Sequence, residues 1–285
     1  MGWVALLLHA ALLGVAALLL EAWSEQVLAR RQADGGASTM QPVRNLVRLW
    51  RKPAMAPAAA SFVFGAAPVV SLVAACVAGL LTPSFTLGMA TAPAADLVVI
   101  AGLLGVSRAV VGLAAYDAGS APAAYAGGRV MAAGLGTAPV LLLVALAATL
   151  AAGSTNLDAA TAAVRDGSLA QRGAGAVAGI ALWVLAVQEP MAPAAWSGRA
   201  LALLLAAEQM RRVVALSLAA ALLPWGMAAA GAGFGAWTAG VAAWGVKLAV
   251  LGAFAALARR QHGLLPAAAL LALIACVVLG VQGAE

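Results

Sequence analysis

The stretch Val130–Ala152, VMAAGLGTAPVLLLVALAATLAA, decides the fold. It contains no charged residue and exceeds the roughly 20 apolar residues that a helix needs to cross the hydrocarbon core. It is rich in alanine and leucine and lacks period-two alternation, so it reads as a membrane-crossing helix rather than a strand. Seven further stretches read the same way: 3–20, 60–81, 96–115, 173–187, 200–225, 234–257 and 264–281. The expected fold is all-α: a polytopic integral membrane protein with about eight transmembrane helices in a single domain over 1–285. The stretch 173–187 is short and glycine-rich. The stretch 200–225 holds Glu208, Arg211 and Arg212, and reads either as a full span or as an amphipathic segment plus a half-span.

Composition agrees. Hydrophobic residues make up 65% of the chain and charged residues 9%, with a mean hydropathy of +1.01. Soluble domains carry roughly 25% charge, so too little is present to cover a water-exposed surface. Met1–Leu20 lacks a basic leading region and is expected to be a retained first span. Cys76 and Cys276 lie in apolar runs and no CxxC occurs, which argues against iron–sulfur and zinc sites. His9 and His262 stand near opposite ends of the chain, without neighbours that would build a metal site, and read as incidental. No serine–histidine–acid set and no phosphate-cradling glycine loop is present. Alone, the chain is not expected to carry out bond chemistry. No nucleic-acid-binding motif accompanies the net charge of +6.

That charge instead orients the chain. Arg30, Arg31, Arg44, Arg48, Arg51, Lys52, Arg129, Arg199, Arg259 and Arg260 fall in odd-numbered connections, against Arg165 and Arg172 in the even ones. The positive-inside rule then places the odd connections in the cytoplasm and both termini outside. Residues 21–59 form a long basic cytoplasmic loop with a flexible turn at 34–39. Pro42–Trp50 reads as a short amphipathic helix. Arg44, Arg48 and Arg51 share one face of it, with Lys52 following, as a docking surface for anionic lipid, for a cytoplasmic partner, or for both. Trp3, Trp23, Trp50, Trp196 and Trp225 recur near span ends, as in an interfacial aromatic belt.

Charge inside the bilayer costs about 2.5–3.5 kcal/mol per residue on insertion scales unless it is paired or wet. The candidates for buried charge or an ion path are Arg108, Asp117, Arg129, Glu208, Arg211, Arg212 and Lys247. Glu208 has Arg211 at i+3 and Arg212 at i+4. That spacing permits an internal ion pair, or a proton-accepting carboxylate held anionic by the arginines. Lys247 stands alone in its span, either snorkelling or facing a polar interior.

Four stretches carry a resemblance: Gln41-Pro42-Val43-Arg44-Asn45-Leu46 through Lys52; Tyr116-Asp117-Ala118-Gly119-Ser120 through Met131; Ala152-Gly153-Ser154-Thr155-Asn156-Leu157; and Ser197-Gly198-Arg199 through Leu204, followed by Leu223-Pro224-Trp225-Gly226. In order and spacing they resemble the complex I subunit 1 family. The closer branch is formate hydrogenlyase subunit 4 and the membrane subunits of group 4 nickel–iron hydrogenases. The resemblance implies a non-catalytic subunit of an oxidoreductase complex. It would sit in a bacterial or archaeal inner membrane, beside antiporter-like subunits, and hold a cytoplasmic hydrogenase or quinone-reducing arm. Nickel–iron and iron–sulfur centres would belong to partner subunits, with no cofactor in this chain. The family links the arm to proton or sodium movement through buried carboxylates, and here that pattern departs. Val130 and Ala138 stand where the family has acids, the loop from Val187 to Trp196 is short, and Ala255 and Ala256 replace a late glutamate. Glu208 matches a family glutamate. The alternatives are an inert anchor and a stand-alone secondary transporter or channel.

Overall fold

The computed structural model describes residues 2–32, 40–187, 195–223, 233–258 and 264–282. Ten α-helices fill it: α1 (Gly2–Gln32), α2 (Gln41–Trp50), α3 (Phe62–Leu81), α4 (Leu97–Asp117), α5 (Ala121–Ala152), α6 (Leu157–Asp166), α7 (Leu169–Val187), α8 (Gly198–Leu222), α9 (Phe234–Ala258) and α10 (Leu264–Gln282). No strand occurs among the described residues, and two antiparallel loops meet in a single bridge, Asp96 with Asn156.

The all-α expectation holds, and each of the eight expected stretches lies on its own helix. Six of them (α1, α3, α4, α5, α7 and α9) are long and apolar enough to cross a membrane. Of the stretch 200–225, residues 200–222 belong to one continuous helix, α8, rather than to two pieces, with Glu208, Arg211 and Arg212 in its middle.

Several boundaries differ from expectation. α5 begins at Ala121, not near 130, because Pro122 in its first turn and the run of alanines start the helix early. α1 runs to Gln32, since nothing in Glu21–Gln32 breaks a helix. α6, missing from the sequence reading, is short and polar enough to escape a search for spans; Asn156 caps it by accepting from the Asp158 and Ala159 amides. The turn at 34–39, Pro190, Pro193, Pro224, Trp225, Gly226, Arg259, Arg260 and His262 lie outside the described residues.

The helices α3, α4, α5, α7 and α8 each pack on the next, and α8 closes back on α3. α1 and α9 flank α8, and α10 lies across α5 and α7. The main core is built of alanine, leucine and valine from these helices, with α8 the most deeply enclosed. Small residues allow this closeness. A Cβ on Gly127 of α5 would stand 2.9 Å from the Gly112 carbonyl oxygen of α4, so only glycine fits there.

Candidate functional site

The charged residues converge between α1, α3, α4, α5 and α8. Arg211 pairs with Glu208 one turn back and also donates to Ser71 Oγ at 2.9 Å on α3 and to Ser107 Oγ at 2.6 Å on α4. Ser71 and Ser107 bond each other's backbone carbonyls, at 2.8 and 2.7 Å, which ties α3 to α4 at the point where Arg211 enters. Arg108 on α4 donates to Thr137 Oγ1 on α5 at 3.0 Å and lies within electrostatic reach of Glu208 and Arg211.

Counting residues from the helix ends shows why these groups meet. Arg108 is nine residues before the end of α4, Ser71 nine after the start of α3, and Glu208 ten after the start of α8. At 1.5 Å per residue all three lie about 13–15 Å from the same ends of their helices. The charge forms a layer inside the ring, on the side of the α2 loop.

Arg212 stays within electrostatic reach of Glu208 but makes its own ion pair with Glu21 on α1, joining α1 to α8. The i+4 spacing allowed either partner, and tertiary packing of α1 selected the second. Sequence reading passed over Glu21 because it lies where the first span was expected to end. The layer is rich in donors: Arg211 Nε and Arg212 Nε and Nη2 are buried with no protein partner among the described residues, as is the acceptor Gln209 Oε1. Such groups require water or a further polar group.

Asp117, Arg129 and Lys247 lie apart from this layer. Asp117 accepts from the Ser61 amide and hydroxyl, both at 2.8 Å, and from the Phe64 amide at 3.2 Å, so it fastens the start of α3. Arg129 is exposed on α5. Lys247 donates to the Ala220 carbonyl at 2.7 Å. In a helix that carbonyl would bond the amide of position 224, which is proline and has no N–H.

The same logic explains one more buried side chain, Trp196. Trp196 Nε1 donates to the Phe64 carbonyl at 3.3 Å, whose helical donor position is Pro68. His9 Nε2 lies 3.0 Å from the Gly79 carbonyl at the end of α3, which also accepts from the Thr82 amide at 3.0 Å. A carbonyl accepts only, so Nε2 carries the proton and Nδ1 accepts from Ser84 Oγ at 2.7 Å. His9 is therefore a buried fastener. Trp196 is no belt residue: it is 5% exposed and stacked on Phe64 with ring centroids 4.7 Å apart. Trp23 donates to the Ala249 carbonyl of α9 at 3.1 Å, while Trp3 and Trp50 face outward as expected.

The loops on either side are clamped by the stretches that carried the resemblance. Gly198 adopts φ +54°, and a Cβ there would stand 2.1 Å from the Pro53 carbonyl oxygen. Ser197 Oγ accepts from the Met55 amide at 3.2 Å, and Arg199 Nε donates to the Trp50 carbonyl at 3.2 Å. Ser197-Gly198-Arg199 thus locks the end of α2 to the start of α8. At the opposite end, Thr155 donates to Asp96, Asn156 Nδ2 donates to the Ala92 carbonyl at 2.8 Å, and backbone bonds join Leu97 to Thr155 and Leu157 to Ala95. The Thr155 hydroxyl, helped by the Val98 and Val99 amides, holds the Asp96 carboxyl below the ordinary range. Burial pushes Asp158 up, opposed by the Gly88 amide.

A helical bundle closed around a layer of buried ion pairs, with six helices long and apolar enough to cross a membrane and clamped loops at both ends, has the architecture of a multi-pass membrane protein. The chain belongs to the NADH dehydrogenase family, that of complex I subunit 1, whose profile matches residues 4–193. It is similar to hydrogenase-4 component C of Escherichia coli (strain K12), 28% identical over 135 residues. That match covers 47% of this chain and 43% of the relative, so the alignment spans less than half of the relative's length. The fold is similar to a chain in the structure of the membrane-bound sulfane sulfur reductase, an archaeal respiratory membrane complex. The TM-score is 0.78 at 16% identity, with 97% of this chain and 98% of that one covered.

Proposed function

We propose that this chain is the membrane-anchor and coupling subunit of a hydrogenase-like or complex I-like respiratory assembly in a bacterial or archaeal cytoplasmic membrane. The observation that carries the reading is the donor-rich ion-pair layer, Arg108, Glu208, Arg211 and Arg212–Glu21, inside a chain of this family. A purely structural anchor has no physical need for charge there, because apolar side chains would pack at less cost.

In this reading α8 and α10 also span, giving eight spans, and the α2 side faces the cytoplasm. The arm sits on the exposed loop Pro53–Ala59, which the Ser197-Gly198-Arg199 clamp holds in place. Antiporter-like subunits pack laterally, and the nickel–iron and iron–sulfur chemistry belongs to the partners. Ion coupling would run through Glu208 and through water that the orphaned arginine nitrogens and Gln209 hold in place, standing in for the acids absent at Val130 and Ala138.

The test is Glu208→Gln in the assembled complex, reading assembly and redox-driven ion movement separately. Intact assembly with coupled ion movement reduced at least tenfold is expected. Unchanged coupling with intact assembly would leave the chain an inert anchor.

A further inference from the structure

α2 presents three distinct stripes. Pro42 is buried and Leu46 and Leu49 are partly buried, making the stripe through which the helix packs on α1 and α8. Arg44, Arg48 and Arg51, with Lys52, form a second stripe and are exposed. Between the two lies an outward apolar stripe of Val43, Val47 and Trp50, with Val47 47% and Trp50 53% exposed. The second and third stripes adjoin on one open, shallow surface depression of about 520 Å³, formed by Val43, Arg44, Val47, Arg48, Arg51 and Lys52. No acid occurs between residues 40 and 60, and among the described residues Arg48 hydrogen-bonds neutral Asn45.

This surface is therefore cationic along one side and apolar along the other. It lies at the end of the bundle where α8 begins. The clamp fixes Lys52 and Pro53 against the first residues of α8, whose Ser197 hydroxyl is turned to the Met55 amide rather than to the helix's own free amides. The helix dipole therefore adds positive potential beside Lys52.

From this geometry we infer that the outward face of α2 is a binding site for an anionic diacyl phospholipid of the leaflet it faces. Arg44, Arg48, Arg51 and Lys52 hold the phosphate, and Val43, Val47 and Trp50 take the first methylenes. An acidic protein surface would satisfy the cations but would leave the apolar side against water. A zwitterionic lipid would satisfy the apolar side but would leave four cations unneutralised. Only a ligand with an anionic head beside a hydrocarbon tail matches both sides, and basic residues next to a membrane favour anionic headgroups strongly.

The experiment uses the full chain, purified in mild detergent, with native mass spectrometry of lipid adducts in mixtures of dioleoyl phosphatidylglycerol and dioleoyl phosphatidylcholine. The variant is the fourfold R44Q/R48Q/R51Q/K52Q. These side chains are exposed, so folding is expected to survive and is checked by circular dichroism. The wild type should prefer phosphatidylglycerol by at least tenfold, weakening with salt, and the variant should lose that preference. Val47→Ser with Trp50→Ser should weaken retention of both lipids while keeping the preference. Equal binding of the two lipids by the wild type, or an unchanged preference in the fourfold variant, overturns the site. So does a variant that keeps the lipid but loses a cytoplasmic subunit on native pull-down, since the face would then belong to a protein. A wild type that selects phosphatidylglycerol yet recovers no partner subunits would sink the assembly reading alone and leave this site standing.

Discussion

At the residue scale, the buried polar side chains divide into two kinds of work. Glu208, Arg211, Arg212 and Glu21 compensate one another's charge, whereas Trp196 and Lys247 compensate carbonyls whose helical donor is proline. The two kinds respond differently to substitution. Arg211→Gln leaves Glu208 without its ion-pair partner, and removing one partner of a buried pair costs about 3–5 kcal/mol. Glu208→Gln with Arg211→Gln removes both charges and should cost less than Arg211→Gln alone, read by reversible unfolding in mixed micelles. Trp196→Phe should destabilise the wild type but cost clearly less in a Pro68→Ala background, where residue 68 regains an amide for the Phe64 carbonyl; equal costs in both backgrounds would refute the assignment. The Glu208–Arg211 pairing was legible from i+3 spacing. Trp196 was not, because nothing in the sequence places position 196 beside position 64; the signal that could have found it is the proline inside the Phe62–Leu81 span.

At the element scale, length and apolarity revealed the helices, while their ends depended on caps and tertiary contacts. Val130–Ala152 read correctly as helix, yet α5 starts at Ala121, since an alanine-rich turn after Ser120 continues a helix whether or not it lies in lipid. α6 was invisible for the opposite reason, being held by Asn156 and by bonds to a distant loop rather than by its own hydrophobicity. That clip has a pH signature. The Asp96 carboxyl is held low, so its stabilisation is present above the ordinary aspartate value of about 4 and is lost as pH falls through its lower folded value. Asp158 is pushed up, so its contribution has the opposite sign, present at low pH and lost as pH rises through its raised value. Protection of the Val98 and Val99 amides against hydrogen exchange, taken relative to the intrinsic rate at each pH, should fall on acidification below about pH 4 in the wild type, and Asp96→Asn should abolish that dependence. Gly198→Ala should release α2 from α8, because the left-handed backbone and the contact with the Pro53 carbonyl both exclude a side chain. Faster proteolysis between α2 and α3 would register the release.

At the scale of the whole molecule, the stretches that carried the family resemblance prove to be fasteners at the two faces, and the charge layer lies between them. This division explains why the scaffold was readable from sequence and the site only in part, since Glu21 was missed. Tyr116-Asp117, Thr155-Asn156 and Ser197-Gly198-Arg199 each solve a local backbone problem that tolerates few residue types. The interior layer needs only balanced charge and can be rebuilt with other residues, as Glu21–Arg212 illustrates. The central claim is that such a scaffold works within a larger assembly. The measurement that tests it most directly is a mild-detergent pull-down of the tagged chain from its native membrane, with mass spectrometry of what accompanies it. Recovery of antiporter-like membrane subunits together with a nickel–iron or quinone-reducing arm is the predicted result. Recovery of the chain alone, folded and monodisperse, would contradict it and turn attention to transport.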